Sequence, residues 1–109
     1  MPKYAALFSY TGEAWGRMIQ HPADRAAAFR TLVENLGGNV ECFYWMFGDH
    51  DGLTIFNAPD AVTAGAIMAA VLGSNAVRIS THELLTMAEA DALLHKAQSA
   101  TSAYRRPGA

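Results

Sequence analysis

Residues 39–60 read NVECFYWMFGDHDGLTIFNAPD, and the way this stretch divides decides the fold. Val40, Cys42, Tyr44 and Met46 alternate with Glu41, Phe43, Trp45 and Phe47, the period of two that a β-strand imposes. Gly48 to Gly52 concentrates turn residues, and Leu53 to Asn57 resumes an apolar run that stops at Ala58-Pro59. Asp60 is then a good N-cap for a helix over Ala61 to Leu72, which Gly73 closes. The stretch is a strand, a hairpin, a second strand and a helix start. Asp49, His50 and Asp51 resemble an acidic-histidine cluster, but they fall at the hairpin, where aspartate beside glycine is ordinary turn chemistry.

Reading outward, KYAALFSY at 3–10 predicts a first strand with Tyr4, Ala6, Phe8 and Tyr10 on one face. Thr11 to Gln20 fits a short helix, with Trp15, Met18 and Ile19 on one side and Gly16 weakening it. His21-Pro22 breaks the chain, and a helix is predicted from Pro22 to Leu36, with Gly37-Gly38 as its stop. The helix over 61–72 carries no charge and is expected to be largely buried. A fourth strand is predicted over 76–85, and Thr86-Met87-Ala88-Glu89 spells a capping box for a last helix to about Ala97. Residues 98–109 lack periodicity and are expected to form a mobile tail behind a single domain over 1–97.

The order strand-helix-strand-strand-helix-strand is the ferredoxin-like βαββαβ pattern of the α+β class. Right-handed crossovers give a four-stranded antiparallel sheet of order 4-1-3-2 with helices on one face. Two helices cover only that face, yet large apolar groups occupy both sides of the strands. The uncovered face would expose more apolar surface than monomers usually carry, which predicts a homodimer packed sheet to sheet as an α+β barrel.

Composition narrows the function. The chain has 8 Lys+Arg against 10 Asp+Glu, a net charge of −2, so no basic surplus exists to neutralise phosphates and nucleic acid is not an expected partner. No apolar run is long enough for a membrane span, and nothing resembles a signal segment, so a soluble cytoplasmic protein is expected. Cys42 is the only cysteine, which rules out an internal disulfide and suits a small buried hydrophobe in a reducing compartment. No HxxxH or CxxC spacing suggests a metal, and no GxGxxG, GxxxxGK[ST] or GxSxG motif suggests a nucleotide cofactor or serine hydrolase. No cofactor is implied.

Several residues together resemble a known family: Tyr4, Leu7, the Pro22-to-Phe29 helix start, Leu36-Gly37-Gly38, Phe43-Tyr44-Trp45, Gly48 with Asp51, Ala58-Pro59-Asp60, and Val77-Arg78 with Thr81. Over roughly residues 2 to 90 the chain is similar to GYD-domain proteins, named for a Gly-x-Tyr-Asp-like signature at the second hairpin. The resemblance implies a ferredoxin-like, dimeric α+β-barrel fold and assigns no activity. The chain departs from the signature at His50, where the family usually has tyrosine.

In a 4-1-3-2 sheet the end of strand 1 and the starts of strands 3 and 4 share one edge, which predicts that Tyr10, Asp51 and Arg78 come together and that Asp51 pairs with Arg78. Such a group could hold an anionic ligand, with His50 or Asp51 moving protons, or could serve only to pin the turn. His82 shares a strand face with Arg78 and Ser80, a polar set that suggests a cavity lining or an inert interface histidine. Trp45, Tyr44 and Trp15 could line an aromatic pocket or belong to the core. Tyr10, Trp45, His50, Asp51, Arg78 and His82 are the ligand-binding candidates, for a small anionic or aromatic molecule. Rival readings on the same barrel are a cofactor-independent enzyme of the monooxygenase or isomerase type and a ligand-free oligomerisation module.

Overall fold

The structure, a computed structural model, describes residues Met1–Ala109. Strands β1 (Lys3–Tyr10), β2 (Asn39–Trp45), β3 (Gly52–Asn57) and β4 (Val77–Leu84) form one sheet of order β2-β3-β1-β4. All three pairings are antiparallel. This is the predicted 4-1-3-2 order read from the other edge, and the chain has the α+β, ferredoxin-like architecture. Helices α1 (Gly12–Gln20), α2 (Arg25–Asn35), α3 (Ala61–Leu72) and α4 (Met87–Ala100) complete it, followed by a short 3₁₀ turn at Thr101–Ala103. No helix is long and apolar enough to cross a membrane.

Each helix begins where a side chain can satisfy its free backbone donors. Thr11, Asp24, Asp60 and Thr86 accept from the backbone N–H groups of Ala14, Ala27, Thr63 and Glu89. The Thr63 N–H also holds the Asp60 carboxyl below the usual carboxylate range. The Asp24 cap moves the start of α2 from the predicted Pro22 to Arg25. The last helix runs past the predicted Ala97 to Ala100.

The core lies between the sheet and α2 and α3. Tyr4, Ala6 and Phe56 of the sheet meet Val33 of α2 and Ala64, Ile67 and Met68 of α3, with Phe56, Ile67 and Val33 fully buried. Burying side chains of this size contributes about 1.5–3 kcal/mol each. The expectation that α3 is largely buried is corrected. Only Ala64, Ile67 and Met68 are buried, and Val62 stands in solvent. Most of its outward positions are alanine or glycine, which lose little by exposure.

Register assigns the two faces. Tyr4, Ala6, Phe8 and Tyr10 lie opposite Glu83, Thr81, Ile79 and Val77 of β4 on the helix side, while Ala5, Leu7 and Ser9 lie opposite His82, Ser80 and Arg78 on the open side. In β2 the ladder shifts between Val40 and Cys42, so Val40 pairs with Phe56 and Cys42 with Ile55. This bulge at Glu41 corrects the expected regular alternation. Val40 joins Phe43 and Trp45 on the helix side, and Cys42 and Tyr44 face out.

Two glycines give opposite responses to an added methyl. A Cβ on Gly38 would collide with the Asn57 carbonyl oxygen and crowd Val33, whereas one on Gly16 of α1 would meet open space. Gly38→Ala is expected to destabilise by about 1–3 kcal/mol through overpacking. Gly16→Ala is expected to stabilise by about 0.5–1 kcal/mol through helix propensity. Urea unfolding midpoints of the two variants check both signs.

Candidate functional site

The pleat brings Tyr10, at the end of β1, to the helix side beside Trp45, at the end of β2. Trp15 of α1 closes the group. The three rings sit edge to face, with centroids 5.3 Å apart for Tyr10–Trp15, 5.7 Å for Tyr10–Trp45 and 5.2 Å for Trp15–Trp45. Trp45 Nε1 donates to the Tyr10 hydroxyl at 3.2 Å. Asp51 anchors the other side. Its Oδ2 accepts from the Tyr10 backbone N–H at 2.9 Å and from Trp15 Nε1 at 3.1 Å, and its own N–H donates to the Phe8 carbonyl at 2.8 Å.

Behind this cluster the sheet and helices leave a cavity of about 110 Å³. Phe8, Phe29, Phe43, Met68 and Ile79 form much of its wall, and Tyr10, Arg25 and Thr54 bring polar side-chain atoms to its lining. Phe8 packs against Phe43 at 5.1 Å, and Gly52 opposite Phe8 is required because a Cβ there would strike the Phe8 ring. Tyr10 and Arg25 also border a wider cleft of about 510 Å³ toward α1, with Arg17, His21 and Ser74 on its rim. Arg17 is paired with Glu13, whereas Arg25 has no carboxylate partner.

Burial pushes the Tyr10 phenol above its ordinary value of 10.0; the bond from Trp45 and the Arg25 guanidinium beside it act the other way. The phenol is therefore neutral at physiological pH, its oxygen already accepts one bond, and its proton is available for donation. Tyr10 and Arg25 together present donors to a mostly apolar chamber. That arrangement suits an anionic or strongly polarised oxygen with an apolar group behind it.

Of the residues singled out from sequence, the structure unites Tyr10, Trp45 and Asp51 and separates the rest. The expected Asp51–Arg78 pair does not form: Arg78 stands opposite Ser9 on the open face, while the Asp51 carboxylate is held by Tyr10 and Trp15. His82 bonds Ser80 Oγ through Nε2 at 2.8 Å on that same open face, so the polar set on β4 does not line the interior cavity. Tyr44 is likewise turned away from Trp45 and Trp15 by the pleat. His50 takes no part in the hydrogen bonds that join Asp51, Tyr10 and the two indoles. Nowhere do three or more His, Cys, Asp or Glu side chains converge as a metal site would require.

Sequence reasoning missed Arg25. The signal was present, because a cation in the first turn of a helix opposes the helix dipole and has no local reason to be there. Placing the helix start at Pro22 put Arg25 in the next turn and hid the anomaly.

Tyr10 gives a pH test. With the folded pKa raised, the stability gained by keeping the phenol neutral is fully present below pH 10.0 and is lost as pH rises above it. Above pH 10 the melting temperature of the wild type should fall more steeply than that of Tyr10→Phe. The variant's tyrosinate absorbance titration should also lack one late-ionising phenol. Tyr4 is pushed in the same direction by burial and by Glu83 and Asp60, so part of the slope remains in Tyr10→Phe.

The GYD domain family model matches residues 4–94, from the first residues of β1 to the middle of α4. No curated protein and no solved structure gives a significant match. With most of its length inside that match, from Tyr4 through all four strands, the chain belongs to the GYD domain family.

Proposed function

We propose that this is a homodimeric small-molecule-binding protein, and that its ligand is a small carboxylate or similar anion with a compact apolar tail. The observation that carries the reading is the cavity beside Tyr10, lined mostly by apolar side chains and by two donors, the Tyr10 phenol and an Arg25 guanidinium with no carboxylate partner. The tail would enter among Phe8, Phe29 and Phe43, and the anion would sit between Tyr10 and Arg25. A cavity of about 150 Å³ accommodates benzene. At about 110 Å³ this one suits a branched tail of a few carbons, or a ring that extends into the adjoining cleft.

The dimer part of the proposal rests on the open sheet face. Leu7, Leu53, Ile55 and Tyr44 share that side, and Tyr44 is 64 % exposed in the single chain. A second copy laid against it would remove the apolar surface and close the molecule as an α+β barrel about a two-fold axis. The absence of any membrane-length helix and of a basic surplus fits a cytoplasmic location and a partner other than nucleic acid.

An enzyme without a cofactor is the second reading, and the Tyr10 hydroxyl favours it. With its lone pair engaged by Trp45, that group is oriented to donate a proton to a bound oxygen.

A thermal-shift screen of small carboxylates, branched aliphatic and benzoic, tests the binding that both readings require. Binding at a hundred times Kd contributes about 2.7 kcal/mol and raises the melting temperature measurably. Arg25→Gln is expected to weaken a hit by about ten- to a hundredfold, the worth of a charge-assisted hydrogen bond. Arg78→Ala, on the other face, should leave it unchanged. The absence of a shift with any acid at millimolar concentration would remove the reading.

A further inference from the structure

We propose that α4 is an exchanged arm that docks on a second copy of this chain, which returns the same contact. The proposal rests on the dimer reading above but is independent of the ligand.

Residues 87–100 form a helix with a complete capping box: Thr86 Oγ1 accepts from the Glu89 N–H at 3.1 Å, and Glu89 accepts from the Thr86 N–H at 2.9 Å. Met87, Ala90, Leu93, Leu94 and Ala97 gather on one side of it, and Asp91, His95, Lys96 and Ser99 on the other. Within its own chain that apolar side touches almost nothing. No residue of α4 is buried, its one substantial packing neighbour is the 3₁₀ turn that follows, and Met87, Leu93 and Leu94 are 83, 50 and 64 % exposed. A helix of this length draws most of its stability from tertiary packing, and the single chain supplies little.

The size of the molecule points the same way. Its radius of gyration is 17.7 Å, against about 13 Å for a compact domain of about 100 residues. Its accessible surface is 7600 Å², whereas a folded monomer of 11.7 kDa exposes about 5,900 Å². The excess, about 1,700 Å² per chain, is roughly twice what a standard interface takes from each partner. The open sheet face cannot account for it alone. Strands of six to eight residues offer at most four side chains each to one face, whereas stable interfaces use roughly 20–30 residues a side. The α4 stripe adds to the excess, together with the exposed residues 101–109 that follow, and the stripe continues the open face along the chain through Leu85, itself 48 % exposed.

A second copy is the occupant these features fit. With the two open sheet faces packed on each other, each chain still carries one unpacked arm, and a mutual exchange in which each arm docks on its partner beside that sheet interface closes at two subunits. Arg78, without a carboxylate partner on its own chain, lies on the open face that would meet the partner, and Asp91, beside Met87 on the border of the arm's apolar stripe, offers it a carboxylate.

The test uses the full chain. Leu93 and Leu94 are exposed in the single chain, so Leu93→Asp with Leu94→Asp leaves the domain folded, as near-ultraviolet circular dichroism would verify. By sedimentation equilibrium the double variant should raise the dimer dissociation constant at least about a hundredfold, the expected loss for two buried leucines. Ser99→Asp, on the opposite side of α4, should leave it unchanged. Hydrogen exchange of the wild type should protect α4 amides only at concentrations where the dimer forms. A variant that dimerises as tightly as the wild type overturns the arm while the dimer stands. Protection of α4 that does not depend on concentration places the arm on its own chain and overturns it too. A wild type that stays monomeric at every concentration removes the dimer reading and the arm together.

Discussion

The carboxylate of Asp51 holds three separate pieces of chain at one point. Through Oδ2 it takes the backbone N–H at the end of β1 and the indole N–H of α1, while its own backbone N–H returns to β1 at Phe8. Each of these donors would otherwise lose its bonds to water as the aromatic rings close over it, a cost of about 1–3 kcal/mol for each group left unmade. Satisfied together, they fix the angle at which α1 leaves the sheet and hence the position of Trp15 against Tyr10 and Trp45. The aromatic cluster, the cavity lining at Tyr10 and the orientation of its phenol all follow from this junction. Asp51 serves the site by position alone, since its oxygen is committed to backbone and indole.

The second constraint is the pleat. A sheet has two sides, and here they have different tasks. The side toward α2 and α3 carries the core and the cavity, and the opposite side carries Leu7, Leu53, Ile55 and Tyr44 with Arg78, Ser80 and His82. Two groups of polar and aromatic residues that looked like one site in the sequence are separated by the thickness of the sheet. Their separation means that the proposed ligand, between sheet and helices, and the proposed partner, on the open face, would not compete for the same side chains.

What the sequence made legible was periodicity and punctuation. The strand order followed from alternating runs broken at Gly48, Pro59 and Gly73, and Asp60 and the Thr86–Glu89 box marked two helix starts by side-chain chemistry that needs no tertiary context. The nearness of Tyr10 and Asp51 followed from topology. Three features were hidden for physical reasons. Asp24 competes with Pro22 as a helix start, and only the cap bond to Ala27 decides between them. Arg25 became visible as a site residue only once that start was known. The bulge at Glu41 carries no local signature, because glutamate fits a regular strand equally well, so the faces of β2 were assigned one residue out of step at Val40. The exposed state of α4 was invisible because an amphipathic pattern says that a helix needs a partner surface, not whose surface it is.

The bulge also divides β2 into lengths of unequal importance. Glu41 is the surplus residue in the ladder, turned out to Lys3 Nζ at 2.7 Å in an exposed ion pair of small worth. A chain lacking it would run a regular ladder with Val40, Phe43 and Trp45 still directed inward. One residue gained or lost between Cys42 and Trp45 instead reverses every side chain beyond it, turning the indole that holds the Tyr10 hydroxyl out into solvent. Homologous chains can therefore differ in length at this one point of the strand and keep the chamber, and at its neighbours they cannot.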